Sequence, residues 1–415
     1  MSGSTPRKPA VGFIFITLVL LMLGFGVIIP VLPGLITEFH HGSVAEASRS
    51  YGILIGVFAL MQFVASPILG ALSDRFGRRR VILISLGGTA IDYVIMGAAP
   101  NLSWLFVARA ISGATAAGLA TCNAYIADVT PPEKRAQGFG LVGAAVGIGF
   151  VIGPALGGWA GHYSLRLPFF IAAGCVGANW LYGALVLPES LPPEKRRPFE
   201  WKRANPVGSL ITLRRFRSVL DLAGTYFIFN FGMIMLQCTW VLYTTYRYQW
   251  STLRVGFSLM GAGVAMGLVQ GFLTRPILSR IGEKRGLVLG LILSACVYIG
   301  YGLATHGWMI YPLIALSGFG GLAGPSAQSL ITRHVTPDQQ GAVQGSLAGL
   351  VSLATIFAPF LATWSFSACI QPHHGWQLPG IAFFESAFLF LVAMLLAVRS
   401  FRLDAAGAPT VAGSA

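Results

Sequence analysis

Long apolar stretches alternate along the chain with short polar turns. Twelve of them approach the ~20 residues that a helix needs to cross a bilayer. They lie near residues 11–36, 51–72, 81–98, 103–125, 137–161, 168–187, 220–243, 255–278, 286–304, 308–329, 341–363 and 379–399. Two divisions are the least obvious, because Gly286–Thr332 and Gln339–Phe384 carry no Lys, Arg, Asp or Glu. Each is too long for one span, and Ala304-Thr-His-Gly-Trp308 and Gln371-Pro-His-His-Gly375 supply the turns. The short polar start, Met1–Pro9, runs into an apolar stretch too long for a signal-peptide core, so an uncleaved first span is expected.

The pattern predicts an all-α membrane protein with twelve transmembrane helices in two parallel six-helix halves. The longest hydrophilic segment, 189–216, divides the chain into halves at 1–188 and 217–415. An internal repeat supports that division. At an offset of 205, Arg75-Phe-Gly77 meets Arg280-Ile-Gly282 and Ser112-Gly113 meets Ser317-Gly318. Pro132-Glu133 meets Pro337-Asp338, and Pro154 meets Pro359. An even number of spans per half keeps the repeats parallel, as in transporters that alternate access to a midplane site.

Composition agrees with the pattern. Of the 415 residues 55% are hydrophobic and only 10% are charged, far below the roughly 25% of soluble domains. The net charge of +14 would suggest nucleic acid in a soluble chain, but here it is spread over short turns. With the N-terminus inside, Arg49, Arg166, Arg247 and Arg254 fall outside and Arg109 falls within a span. The other 23 of the 28 Lys and Arg are then cytoplasmic, as the positive-inside rule requires, and both termini are cytoplasmic. The basic linker would rest near anionic lipid or serve a regulatory partner.

Covalent chemistry finds no support. No HExxH, P-loop or nucleophile elbow is present. The five cysteines are widely spaced without a CxxC, which points to core residues rather than a disulfide framework or zinc. His40-His41 and His373-His374 read as solvated loop residues. No cofactor and no metal are expected.

Two motifs stand out. Gly70-Ala-Leu-Ser-Asp74-Arg75-Phe-Gly77-Arg78-Arg79 joins spans 2 and 3. Gly77 suits a tight turn, and Asp74 can cap the next helix or pair with an arginine. The basic residues could serve topology alone, but the fixed order of Gly, Asp, Arg, Gly, Arg and Arg speaks against that. In span 5, Gly143, Gly147, Gly149, Gly153, Pro154, Gly157 and Gly158 bare one helix face for close packing and allow a kink.

Charge within a span is costly and signals function by default. Asp92 and Arg109 lie at similar depth on adjacent antiparallel spans, so either a structural ion pair or a proton-linked switch fits. Glu385 sits at comparable depth in span 12, within the membrane or wetted at its outer edge. Gln62, Asn123, Asn230, Gln237, Gln270 and Gln328 can line a cavity or bond between helices.

The Asp74 loop resembles the hallmark of the major facilitator superfamily, G-x-x-x-D-R-x-G-R-R. Ser279-Arg280-Ile-Gly282-Glu283-Lys284-Arg285 resembles its degenerate second copy. The span 5 pattern is similar to the antiporter motif of drug-efflux members, which implies proton-driven export. Within the superfamily the chain resembles bacterial tetracycline/proton antiporters. The strings that carry this include Gly24-Phe-Gly-Val-Ile-Ile-Pro-Val-Leu-Pro33, Tyr125-Ile-Ala-Asp128 and Gln344-Gly345-Ser-Leu347. The resemblance implies that Asp92 and Arg109 serve transport and that Gln62 and Gln270 lie near the drug site. It implies gating for the Asp74 loop, with Gly70, Arg75, Gly77, Arg78 and Arg79. It implies the same for Gly149, Gly153, Pro154 and Gly157 in span 5.

Three positions depart from that pattern. Leu21 and Ser294 replace acids, and Met266 replaces a histidine. None of the three can carry a proton, which leaves Asp92 as the main carrier and Glu385 as a second candidate. The expected function is export of small amphiphilic molecules across a bacterial inner membrane in exchange for protons. The alternative is an uncoupled carrier of a small metabolite such as a sugar. Expected partners are the substrate, protons and the lipid bilayer, with no nucleic acid.

Overall fold

The computed structural model describes residues 11–199, 219–336, 339–371 and 377–407. Most of the linker, Pro337-Asp338 and His373-His374 lie outside the described residues. Twelve helices among the described residues are long and apolar enough to cross a membrane. In the first half they are Gly12–Phe39, Val44–Phe76, Arg78–Ala98, Leu102–Val129, Gln137–Tyr163 and Leu167–Val186. In the second they are Leu220–Tyr248, Thr252–Ile281, Glu283–Leu303, Gly307–Arg333, Gln340–Ile370 and Ile381–Leu403. These are spans 1 to 12.

Several helices run past the apolar stretch that marks them. Span 2 starts at Val44, seven residues before its apolar run, because Ser43 caps it by accepting from the Glu46 N–H at 3.4 Å. In hydrocarbon a backbone must satisfy its own polar groups, so helix continues wherever no residue stops it.

Four spans are irregular. Span 1 divides into Val11–Ile28 and Leu32–Phe39, with Pro30 in the gap. Span 4 divides into Leu102–Thr115 and Gly118–Val129, and span 10 into Ile310–Gly320 and Ala323–Arg333. Span 8 carries a π-helical turn at Val269–Leu273. The gaps of spans 4 and 10, at 116–117 and 321–322, are one 205-residue repeat apart. Gly77 and Gly282, one repeat apart as well, end spans 2 and 8 with φ of +103° and +80°. A Cβ on Gly113 would fall 2.5 Å from the Phe58 carbonyl oxygen of span 2. One on Gly318 would fall 2.7 Å from the Ala265 carbonyl oxygen of span 8. Each repeat therefore brings its fourth helix against its second through a glycine.

The chain packs as two units. One holds spans 1–6 with Trp240–Val264 and the described part of Phe366–Gln377. The other holds Ala265–Ser365 with the first part of span 7 and span 12. In the first unit, span 5 lies against span 1. A Cβ on Gly149 would meet the Val19 carbonyl oxygen at 2.6 Å, and one on Gly153 the Leu23 carbonyl oxygen at 2.7 Å. One on Gly157 would overlap the Val27 carbonyl. The bared face expected of the span 5 glycines is thus filled by backbone. Gly143 and Gly147 face open space.

That contrast gives a test. Gly157→Ala should lower the thermal unfolding midpoint in detergent, since overpacking costs about 1–3 kcal/mol. Gly147→Ala should leave it unchanged. Equal midpoints for the two variants would contradict the span 1–span 5 packing.

Candidate functional site

Asp92 is the one fully buried carboxylate among the described residues. Span 3 turns it toward span 4, and it is 0% exposed. The turn between spans 3 and 4 is short, so Arg109 meets it at the same depth. The Arg109 Nη2 donates to Asp92 Oδ2, and Arg109 is itself 6% exposed. The guanidinium also lies over the Phe58 ring of span 2, 5.4 Å from its centroid. Ser112, buried one turn beyond Arg109, faces the same carboxylate. Two opposite charges thus leave water together, which is the condition for carrying them into an apolar interior.

The hairpin that holds this pair is fastened at the turn between spans 3 and 4. Arg166, from the start of span 6, donates to the Gly97 and Ala99 carbonyls at 3.0 and 2.8 Å. On the inner side of span 3, Tyr93 packs its ring on Gly24 of span 1.

A second polar cluster gathers where the C-terminal ends of spans 2 and 4 meet the N-terminal end of span 3. Gly77 turns the chain sharply, and Arg78 opens span 3. Arg78 is held three ways: by Asp74, by Ser73 Oγ at 3.0 Å and by Asp128 Oδ2 at 3.0 Å. Asp128 lies in the last turn of span 4. Arg79 reaches the Ala184 carbonyl of span 6 at 2.5 Å, while Arg75 is exposed and Gly70 faces open space. Glu189, just beyond span 6, accepts from the Arg78 and Arg79 N–H groups at 2.8 and 3.3 Å. The sequence marked Asp74 and Arg78 but not Asp128 or Glu189 as their partners. The available signal was two acids at the ends of spans in a chain with only 14 acids in all.

The second unit has its own version. Gly282 turns the chain, and Glu283 opens span 9. Glu283 accepts from Ser329 Oγ and from Arg333 Nη2, both at 2.7 Å.

The other polar candidates fall in separate places. Glu385 is half-buried one turn inside span 12 and accepts from Ser365 Oγ at 2.8 Å. Asn230 donates to the Tyr226 carbonyl one turn back at 2.7 Å. Gln62 and Asn123 are half-buried, and Gln237 is exposed. Gln270 lies in the π-turn of span 8 and rests its amide against Gly321 at the gap of span 10. Gln328 donates to Gln344 Oε1 at 2.8 Å, five residues from the end of span 10. Of the three departing positions, Leu21 packs against Gly118 and Ser294 turns its hydroxyl to Gly320. Met266 is exposed.

The family model described as Major Facilitator Superfamily matches residues 14–359 and 222–415. The chain belongs to that superfamily. Among curated proteins it is 40% identical to "Tetracycline resistance protein, class C" of Escherichia coli, over 91% of this chain and 93% of that one. It is 36% identical to the class G protein of Vibrio anguillarum, over 91% and 94%. The crystal structure of the human organic anion transporter MFSD10 matches with a TM-score of 0.70 and 26% identity, covering 95% of this chain and 100% of that one. A bacterial homolog of the lysosomal transporter Spinster shares the fold, with a TM-score of 0.75 at 17% identity over 94% and 96%. As a superfamily member, the chain is a multi-pass membrane transporter of small molecules and not an enzyme.

In such a transporter a buried ion pair is a liability unless both partners stay. Removing one partner leaves an uncompensated charge, at a cost of about 3–5 kcal/mol. Arg109→Ala should therefore reduce folded protein in the membrane more than Arg109→Ala combined with Asp92→Asn. Simple additivity in a double-mutant cycle on thermal stability would show that the two side chains are uncoupled.

Proposed function

We propose that the chain exports tetracycline-like amphiphiles from the bacterial cytoplasm in exchange for protons. The observation that carries this reading is the buried Asp92–Arg109 pair, together with its absence from the repeat. One repeat further on, the same places hold Val297 and Ile314, both buried. Apolar residues therefore serve the packing there without charge. Replacing a buried ion pair by apolar side chains is often neutral or stabilising. Stability alone gives no reason to keep the charges in the first half, whereas a proton switch does.

The mechanism is alternating access. The halves 1–188 and 217–415, joined in sequence by the cytoplasmic linker, alternate as parallel repeats of this kind do. A proton arriving from outside neutralises Asp92 and releases its hold on Arg109, which favours one facing state. Drug favours the other. Gln62, Asn123, Asn230, Gln237, Gln270 and Gln328 offer amides to the drug, and Glu385 is a second proton carrier. Asp74 and Arg78 clasp the cytoplasmic gate, and the Gly149–Gly157 face lets span 5 slide on span 1. Neither cofactor nor nucleic acid takes part, and both termini are cytoplasmic.

The test is a susceptibility panel in an efflux-deficient bacterium expressing the chain, followed by transport in everted vesicles. Resistance should extend to tetracyclines, and a pH gradient should drive uphill accumulation. Asp92→Asn keeps the size and hydrogen bonding of the side chain but cannot titrate, so it should abolish uphill transport while the protein still inserts. Full pH-driven transport by that variant would overturn the coupling assignment. Equal counterflow with and without a pH gradient would favour the uncoupled metabolite carrier.

Asp74→Asn should slow transport severalfold and leave equilibrium drug binding near wild type. A large loss of binding with an unchanged maximal rate would place the loop at the substrate site instead of the gate.

A further inference from the structure

The two cytoplasmic clasps occupy the same register of the repeat and carry opposite polarity. Arg78 opens span 3 and pairs with Asp128 at the end of span 4, with N–O distance 3.0 Å. One repeat on, Glu283 opens span 9 and pairs with Arg333 at the end of span 10, at 2.7 Å. A helix favours negative charge at its N-terminus and positive charge at its C-terminus. Glu283 and Arg333 each suit the helix end they occupy. Arg78 and Asp128 are each on the wrong end. Span 3 starts with Arg78, Arg79 and Arg80, and its N-cap residue, Gly77, has no side chain with which to cap it.

The missing negative charge comes from 111 residues away. Glu189 Oε1 accepts from the Arg78 N–H at 2.8 Å, and Oε2 accepts from the Arg79 N–H at 3.3 Å. Gly77 leaves the room, since a Cβ there would meet the carboxylate, with Oε1 at 3.0 Å. The segment is pinned on both sides. Tyr125 Oη donates to the Pro188 carbonyl at 3.2 Å, and Ser190 Oγ donates to Asp128 at 3.3 Å.

We infer that Glu189 is a positioning residue of the cytoplasmic gate: by capping span 3 from the start of the linker, it frees Asp74 to bind and release Arg78. This rests on the gate reading of Asp74. Without Glu189 the bare, arginine-rich end of span 3 draws on the nearest remaining acid, Asp74. An acid held there as a permanent cap no longer switches. Glu283 shows that an acid in the first turn does the same work from within its own helix.

The experiment measures tetracycline uptake into everted vesicles for wild type, D74N, E189Q, E189D, E189A and the double variant E189A/R80E. Arg80 is exposed in the first turn of span 3, so glutamate there restores the acid locally. E189Q should lower the maximal rate fivefold or more with the apparent KM within twofold, and E189D should stay near wild type. E189A/R80E should regain at least half the wild-type rate, which a residue that merely packs the linker would not allow. If D74N is slow and E189Q runs at the wild-type rate, Glu189 has no part in a gate that exists. If neither is slow, the gate reading itself fails. A double variant no faster than E189A, or an E189Q whose KM rises at unchanged maximal rate, also overturns the inference. Should E189Q not accumulate in the membrane, E189D and the double variant decide it by the same criteria.

Discussion

A carboxylate inside a bilayer must find a cation, and the first half of this chain is arranged around that need. Asp92 faces span 4 because Arg109 is there, and Arg109 is steadied by the Phe58 ring of span 2. Gly113, one turn beyond Arg109, lets span 4 approach the span 2 backbone closely enough for that contact. Arg166 fixes the C-terminal end of span 3 through two carbonyls that the helix end leaves free. Spans 2, 3, 4 and 6 are thus tied to one charge pair.

The repeat keeps the backbone devices and changes the chemistry. Both halves end their second span on a glycine of positive φ, and both break their fourth span at the same register. Both use a glycine to seat the fourth span on the second. What differs is charge: Asp92 and Arg109 against Val297 and Ile314, and Arg78 with Asp128 against Glu283 with Arg333. Because the same backbone devices accommodate either set, the charges are free to be placed for function.

The twelve spans were legible because hydrocarbon tolerates few charges, so their absence marks a helix. The ends were less so, as at Val44, where a serine cap carries the helix out among polar residues. The gap of span 1 had its proline signals in Pro30 and Pro33. The gap of span 4 at Ala116-Ala117 had no such signal. There Thr115 bonds back to the Ile111 and Ser112 carbonyls, a local competition that composition does not reveal. In the site, Asp92 and Arg109 were legible as a pair because one short turn sets them at equal depth. The link from Asp128 and Glu189 to Arg78 was hidden, because it depends on how span ends far apart in sequence gather at one face.

The two charged clusters differ in how easily they come apart, and that difference suits a division of labour. The partners of Arg78 are wetted: the Asp74 side chain is 43% exposed and that of Asp128 is 23% exposed. Ion pairs in such settings contribute about 0–1 kcal/mol. Water can therefore replace them one at a time, and a clasp built from several can open on thermal fluctuation. Asp92 has no such exchange partner at 0% exposure. Separating that pair with both charges intact would leave each one buried without a partner, whereas a proton on the carboxylate removes the charge. On the proposed mechanism the chain holds a gate that opens readily beside a lock that opens on protonation, and coupling would require both to act on the same group of helices. Span 3 meets that requirement, since it begins at Arg78 and carries Asp92 four turns further along.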